Sequence, residues 1–364
     1  MGQQQSAEVV IIGGGVRGLA IAYFLSRAKV DVLLVEKRFI ASGASGLNMG
    51  YVNISAKKPA YYTRFSKMSA DLYSEFNAAL GGDIEYERNG SVFVAESEAA
   101  MQDLARVVAE RNAVPGLDME LLGIEELRRL EPALSPDLAG GFWSPADGGV
   151  NPLKLTRALA REAVRLGARI LTGTEVRDIQ VQSGRIEAVH TSRLSIATHV
   201  VVNAAGIHVP RIADMVGLRV PVRPERGQVV ITEALPRVLR RTVGDYKQFA
   251  EGQVLIGTTN EDAGENTQIT SPMIADRVSR ALRIIPALHA ARGIRFAAAL
   301  RPMPPDRLPI YQKMEGVSDF YVAVGHSGMT LAPITGQIFT DWITRGRSAY
   351  DLSAYGVERF EAEG

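Results

Sequence analysis

The chain has no cysteine at all. That absence removes disulfides, thiolate-held zinc and iron–sulfur clusters from anything it can build from its own residues. An excess of charge is also missing: 41 basic residues stand against 40 acidic ones, a formal net charge of +1. Such a balance provides no electrostatic footprint for nucleic acid or an anionic membrane. Arg237, Arg240 and Arg241 do cluster, and they read as a solvated face. No apolar run reaches the roughly 18 residues that a membrane span needs. Internal repeats and low-complexity segments are lacking as well. No secretory signal precedes the first strand, so the expected compartment is cytoplasmic. Met1-Gly2 with Ser6 fits a loose myristoylation pattern, but a polar, disordered leader is the expected reading.

What is present starts at Glu8. A short β-branched run, Val9-Val10-Ile11-Ile12, ends in Gly13-Gly14-Gly15-Val16-Arg17-Gly18, and a helical pattern follows at once. Gly13, Gly15 and Gly18 stand in G-x-G-x-x-G register. The first allows a tight turn, the second removes a side chain beside a pyrophosphate, and the third lets helix and strand lie close. The start of the helix then offers free N–H groups to phosphate. A second apolar strand, 32–35, ends at Glu36, which is 18 residues beyond Gly18. An acid at that place suits ribose hydroxyls and argues against a 2′-phosphate, hence against NADP. These residues alone leave NAD and FAD both open.

With 364 residues the chain exceeds what one core usually holds, so about two domains are expected. The loop 41–46 is small and hydroxyl-rich. A helix is expected over 61–80, a hairpin over 84–94 around Arg88-Asn89-Gly90, and a helix over 98–111. Asn151 before Pro152 reads as a helix cap. Short strands follow over 168–172, 175–180 and 186–191. A buried strand over 199–202 runs into Asn203-Ala204-Ala205-Gly206, small residues where a cofactor can pass close to backbone. Strands over 228–233 and 253–258 and a helix over 272–285 come next. Arg301-Pro302 follows, with Asp306 nearby. The strand 320–324 breaks at Gly325-His326-Ser327-Gly328, and a closing helix over 333–344 stops at Gly346.

Taken together, segments 11–36, 41–50, 147–152, 201–206, 224–228, 252–257, 301–309 and 325–336 resemble the D-amino-acid oxidase-type FAD-dependent oxidoreductase family. The resemblance spans nearly the whole chain. That family includes glycine and sarcosine oxidases and the flavin subunits of hetero-oligomeric opine, D-hydroxyproline and proline dehydrogenases. The tail from His326 to Pro333 resembles the dehydrogenase β-subunits most. The resemblance implies FAD as cofactor and no metal. It implies that Gly13, Gly15 and Gly18, with Val16 and Arg17, hold the pyrophosphate, and that Glu36, with Lys37, holds the adenosine ribose. Ser42 and Ser45 would border the phosphates or ribityl chain, Val176 the adenine, and Ala205 and Gly206 the cofactor's path. Gly328, Met329 and Thr330 would sit at the flavin ring. Arg301 would clamp a substrate carboxylate and also border the cofactor; its alternative is a structural ion pair with Asp306. Tyr246 and Gln248 fall where the family places further substrate contacts. His326 would line the ring or bond to backbone. The lack of cysteine excludes the covalent flavin of some sarcosine oxidases.

The expected fold class is α/β: a Rossmann-like FAD-binding domain (1–82, 145–220, 316–364) interleaved with a mixed-sheet α+β substrate domain (83–144, 221–315). The expected activity is oxidation of an amino acid or N-substituted amino acid of opine, D-hydroxyproline or sarcosine type, by hydride transfer to flavin N5. Partner subunits would carry any further redox centre. A self-sufficient peroxide-forming oxidase is the alternative, followed by a NAD-dependent dehydrogenase or a protein with structural FAD.

Overall fold

The computed structural model describes residues 4–363; Met1 and Gly2 of the acylation pattern lie outside them. Gln4–Ser6 is not part of a disordered leader. It pairs in parallel with Ser195–Ala197 at the edge of a four-stranded sheet.

A six-stranded sheet positions the site. Its order is Ile310–Lys313, Phe320–Val324, Val200–Asn203, Val9–Ile12, Val32–Val35, Arg169–Leu171. All neighbours are parallel except the edge strand Ile310–Lys313. That strand lies within the stretch 221–315 expected to form the substrate part, yet its hydrogen bonds belong to this sheet. Val9–Ile12, Val32–Val35 and Phe320–Val324 are buried on both faces, as uninterrupted β-branched and apolar runs in a covered parallel sheet should be. One face packs on Val16–Arg27, Pro152–Arg165 and Ala332–Arg345, burying Leu19, Leu159 and Ile338 among others.

The second large sheet has eight strands. It runs Gly293–Met303, Arg223–Ala234, Gln253–Ile256, Tyr246–Gln248, Thr242–Val243, Ser91–Ala95, Gly140–Ser144, Glu120–Gly123, antiparallel except where Thr242–Val243 meets Ser91–Ala95. A two-stranded contact joins Tyr51–Val52 to Gly148–Gly149.

Several local expectations match the structure. Asn151 caps Pro152–Arg165 by accepting from the N–H groups of Leu153 and Lys154, and Gly346 ends Ala332–Arg345 with φ +74°. The hairpin over 84–94 does not form: only Ser91–Ala95 is a strand, and it pairs with Gly140–Ser144 instead. The helix expected over 61–80 is two, Ala60–Asp71 and Tyr73–Ala79, broken at Leu72.

Candidate active site

The strand Val9–Ile12 sends the chain to Val32–Val35 on one side and meets Val200–Asn203 on the other. At this topological switch a crevice opens beyond the strands' carboxyl ends. Here it is a continuous cavity of about 1520 Å³, lined from Glu36 and Ser42 at one end to Arg301, His326 and Thr330 at the other. That is larger than the roughly 300–1,000 Å³ of a pocket for a small ligand.

The three glycines of the turn have different reasons to be glycine. Gly13 has φ +113°, and a Cβ there would lie 2.6 Å from the Ala204 carbonyl oxygen; a Cβ on Gly18 would strike the carbonyl oxygen of Gly13. The fold itself requires those two. A Cβ on Gly15 would meet only Ser45 Oγ, at 3.3 Å. The protein thus leaves a space at Gly15 that it does not fill. The amides of Gly15 and Arg17 donate to no protein acceptor among the described residues, as expected of a first helical turn. The Val16 amide donates to Ser45 Oγ (3.0 Å).

At the adenosine end, Glu36 is buried and accepts from the amides of Gly14 and Arg38, both at 2.8 Å, and from Ser42 Oγ at 3.4 Å. Its carboxylate lines the cavity with Ser42, Ser45, Val176, Ala205 and Gly206. Lys37 Nζ lies 2.6 Å from His208 Nε2 across the opening. Burial and the neighbouring Lys37 lower the pKa of His208, so the neutral ring can accept from the ammonium.

The other end is built by the last strand and helix. Arg17 is buried and donates to the carbonyls of Gly325 and His326, both at 2.6 Å. Its guanidinium is thus spent on backbone. Gly328, Met329 and Thr330 line the cavity immediately before Ala332–Arg345, and their amides donate to no protein acceptor among the described residues. Thr330 Oγ1 accepts from the Asn53 amide (3.1 Å) and donates to the Tyr51 carbonyl (3.1 Å). Asn53 is held in turn by Asp147, a fully buried carboxylate. Asp147 accepts from Asn53 Nδ2 (3.2 Å), the amides of Ile54 (2.6 Å) and Ser55 (3.0 Å), and the hydroxyls of Ser55 and Ser91 (2.6 Å each).

Arg301 projects from Gly293–Met303 over Gly227, whose missing side chain makes room for the guanidinium. Its Nη1 donates to the Thr259 carbonyl (2.9 Å) and, at 3.4 Å, to Glu225; its Nη2 donates to Thr258 Oγ1. Arg307 holds the same Glu225 in a fork, at 2.7 and 3.1 Å. One carboxylate shared by two guanidiniums sets Arg301 and Arg307 side by side on this wall of the cavity, with Asp245 also facing it. Asp306 is not the partner of Arg301; it pairs with Arg359 at 2.8 and 3.2 Å.

Tyr246 and Gln248 lie outside the cavity. Tyr246 is packed into the core of the large sheet, where burial pushes its hydroxyl up to about 12. The Gln248 amide is consumed by the backbone of Leu235, Pro236, Val238, Leu239 and Gly252. Their neighbour Asp245 lines the cavity instead, with its carboxyl raised by burial. Lys57, Tyr51 and Tyr62 also line it, and nothing in the sequence singles them out. The hydroxyls of Tyr51 and Tyr62 are buried without a partner, as is Arg17 Nε. No spacing rule marks these residues, which reach the cavity from the short strand Tyr51–Val52, the loop after it and the first turn of Ala60–Asp71.

The open cradle at Gly15, the free amides at both ends, the acid at the strand end and the buried unpartnered polar atoms between them fit an extended dinucleotide with two polar ends. Fold and site together define a dinucleotide-binding oxidoreductase with a parallel nucleotide-binding sheet and a large mixed sheet over its reactive end. Residues 8–342 match the DAO family, FAD dependent oxidoreductase, and the chain belongs to that family, with FAD as its cofactor. It is 30% identical to an opine oxidase subunit of Rhizobium meliloti over 98% of both chains. It is 31% identical to the HcnC component of hydrogen cyanide synthase of Pseudomonas aeruginosa over 98% of this chain and 97% of that one. Among solved structures, glycine oxidase from Geobacillus kaustophilus superposes with a TM-score of 0.91 at 27% identity, covering 97% of this chain and 98% of that one. Among the described residues no helix is long and apolar enough to cross a membrane.

Proposed function

We propose that the chain oxidises the carbon–nitrogen bond of an amino acid or N-substituted amino acid of opine, D-hydroxyproline or sarcosine type, as the flavin subunit of a dehydrogenase. The observation that carries this is the pair of guanidiniums, Arg301 and Arg307, placed on the same cavity as the free amides of Gly328–Thr330. A guanidinium offers parallel donors to a carboxylate and fixes the carbon beside it. When bound, FAD would supply the acceptor for the hydride from that carbon, leaving an iminium that water hydrolyses, with or without loss of its N–H proton to water. The residues of this chain bind, orient and exclude water.

In this reading Gly13, Gly15 and Gly18 with the first turn of Val16–Arg27 take the pyrophosphate, and Glu36 the ribose. The amides of Gly328–Thr330, at the positive end of Ala332–Arg345, offset negative charge on the ring. The FAD-binding part is placed on 1–82, 145–220 and 316–364, the substrate part on 83–144 and 221–315, with Ile310–Lys313 as an edge strand contributed to the first. Tyr246 and Gln248 act only as supports of the large sheet.

Relatives named as subunits and the absence of cysteine support a partner that carries the onward redox centre. The isolated FAD-loaded chain is expected to bleach anaerobically with its amino-acid substrate yet turn over slowly in air. A panel of secondary and primary amino acids read by bleaching finds the substrate class. Peroxide formation by the chain alone, as fast as turnover with its partner, would establish a self-sufficient oxidase instead.

A further inference from the structure

The hydrogen bonds around His326 decide what that ring can do. Lys57 Nζ donates to Ser327 Oγ at 2.8 Å, and Ser327 Oγ lies 3.1 Å from His326 Nδ1. Burial brings the Lys57 pKa down to about 8, so the ammonium still predominates at neutral pH; with three N–H groups and no lone pair, it gives the first bond only one direction. Ser327 Oγ has no side-chain partner besides these two among the described residues, so the one acceptor within reach of its single hydrogen is Nδ1. Ser327 is fixed in this bridging place at φ +62°, a left-handed conformation that serine seldom adopts. Burial, with Lys57, Arg301, Arg307 and Arg17 all cationic around the ring, holds the His326 pKa well below that of a free imidazole. The nearby Tyr62 hydroxyl is pushed up to about 12 by burial and brings no charge at neutral pH. His326 lines the cavity, and its Nε2 has no protein partner among the described residues.

We propose that Lys57, acting through Ser327, locks His326 as the Nε2–H tautomer, so that the ring serves the cavity as a hydrogen-bond donor and not as a base. Lys57 and Ser327 are then positioning residues. The acceptor nitrogen of the ring is turned to Ser327 and is closed to a substrate proton. The N–H left facing the cavity can join Arg301 on a carboxylate, and this last use alone rests on the function proposed above. The proton of a substrate ammonium leaves by a route that does not include His326.

The test is nitrogen NMR of the full FAD-bound chain labelled with ¹⁵N-histidine, which is tractable with five histidines in the sequence. The His326→Gln variant identifies the signal by its loss. At neutral pH the native ring is expected in one state, Nε2 protonated and Nδ1 not. Lys57→Met and Ser327→Ala are each expected to release it, the two nitrogen shifts converging towards those of a free, exchanging imidazole. A native ring protonated at Nδ1, or at both nitrogens, overturns the assignment. So does a native-like ring in Lys57→Met. Beyond His326→Gln for assignment, the native measurement needs no variant and no turnover, so it is decided separately from the identity of the substrate.

Discussion

Gly15→Val is expected to give a folded, colourless protein. Gly15 has extended backbone, φ −79° and ψ 175°, which valine adopts readily, and its Cβ would meet only Ser45 Oγ. The added methyls instead occupy the cradle at the start of the helix, the place proposed above for the pyrophosphate. Circular dichroism should therefore match the native protein while the flavin absorbance is lost. Gly18→Ala is expected to behave differently, because its Cβ strikes the Gly13 carbonyl and the turn itself must move. Tight FAD binding by Gly15→Val would displace the cofactor from this end of the cavity.

Arg301→Ala should cost about 2–5 kcal/mol of transition-state binding, read as the fall in kcat/KM for a carboxylate-bearing substrate. The same substitution should cost little with an analogue that lacks the carboxylate. Glu225 keeps its fork to Arg307, so the loss of Arg301 does not strand a buried anion, and stability should change less than activity. Equal losses on both substrates would make Arg301 a structural residue.

The parts of the fold legible in the sequence are those whose cause lies within a few residues. The glycine turn, the Asn151 cap and the Gly346 stop each answer a local backbone demand. The site was less legible because its side chains are selected by pairing between distant segments. Ser91–Ala95 looks like half of a hairpin, but its partners come from Gly140–Ser144 and Thr242–Val243. Tyr246 and Gln248 sit on the right strand, but alternation alone does not say which face meets the cavity, and both are taken up inside the protein while Asp245 faces it. Lys57 carries no motif; its place is set by a loop that Asp147 ties down from about ninety residues away. Arg301 was recognisable, yet its true neighbour, Glu225, is brought beside it only by the register of Arg223–Ala234 on Gly293–Met303.

The two hydrogen bonds of Arg17 to Gly325 and His326 join segments 308 and 309 residues apart. A chain emerging from the ribosome makes its glycine turn early, but the far end of the cavity exists only after the stretch from Gly325 to Thr330 has been synthesised. Cofactor capture is therefore a late event in the life of the nascent chain. Products interrupted before that stretch carry half a cradle and are expected to stay apo, so flavin content should report on whether translation passed it.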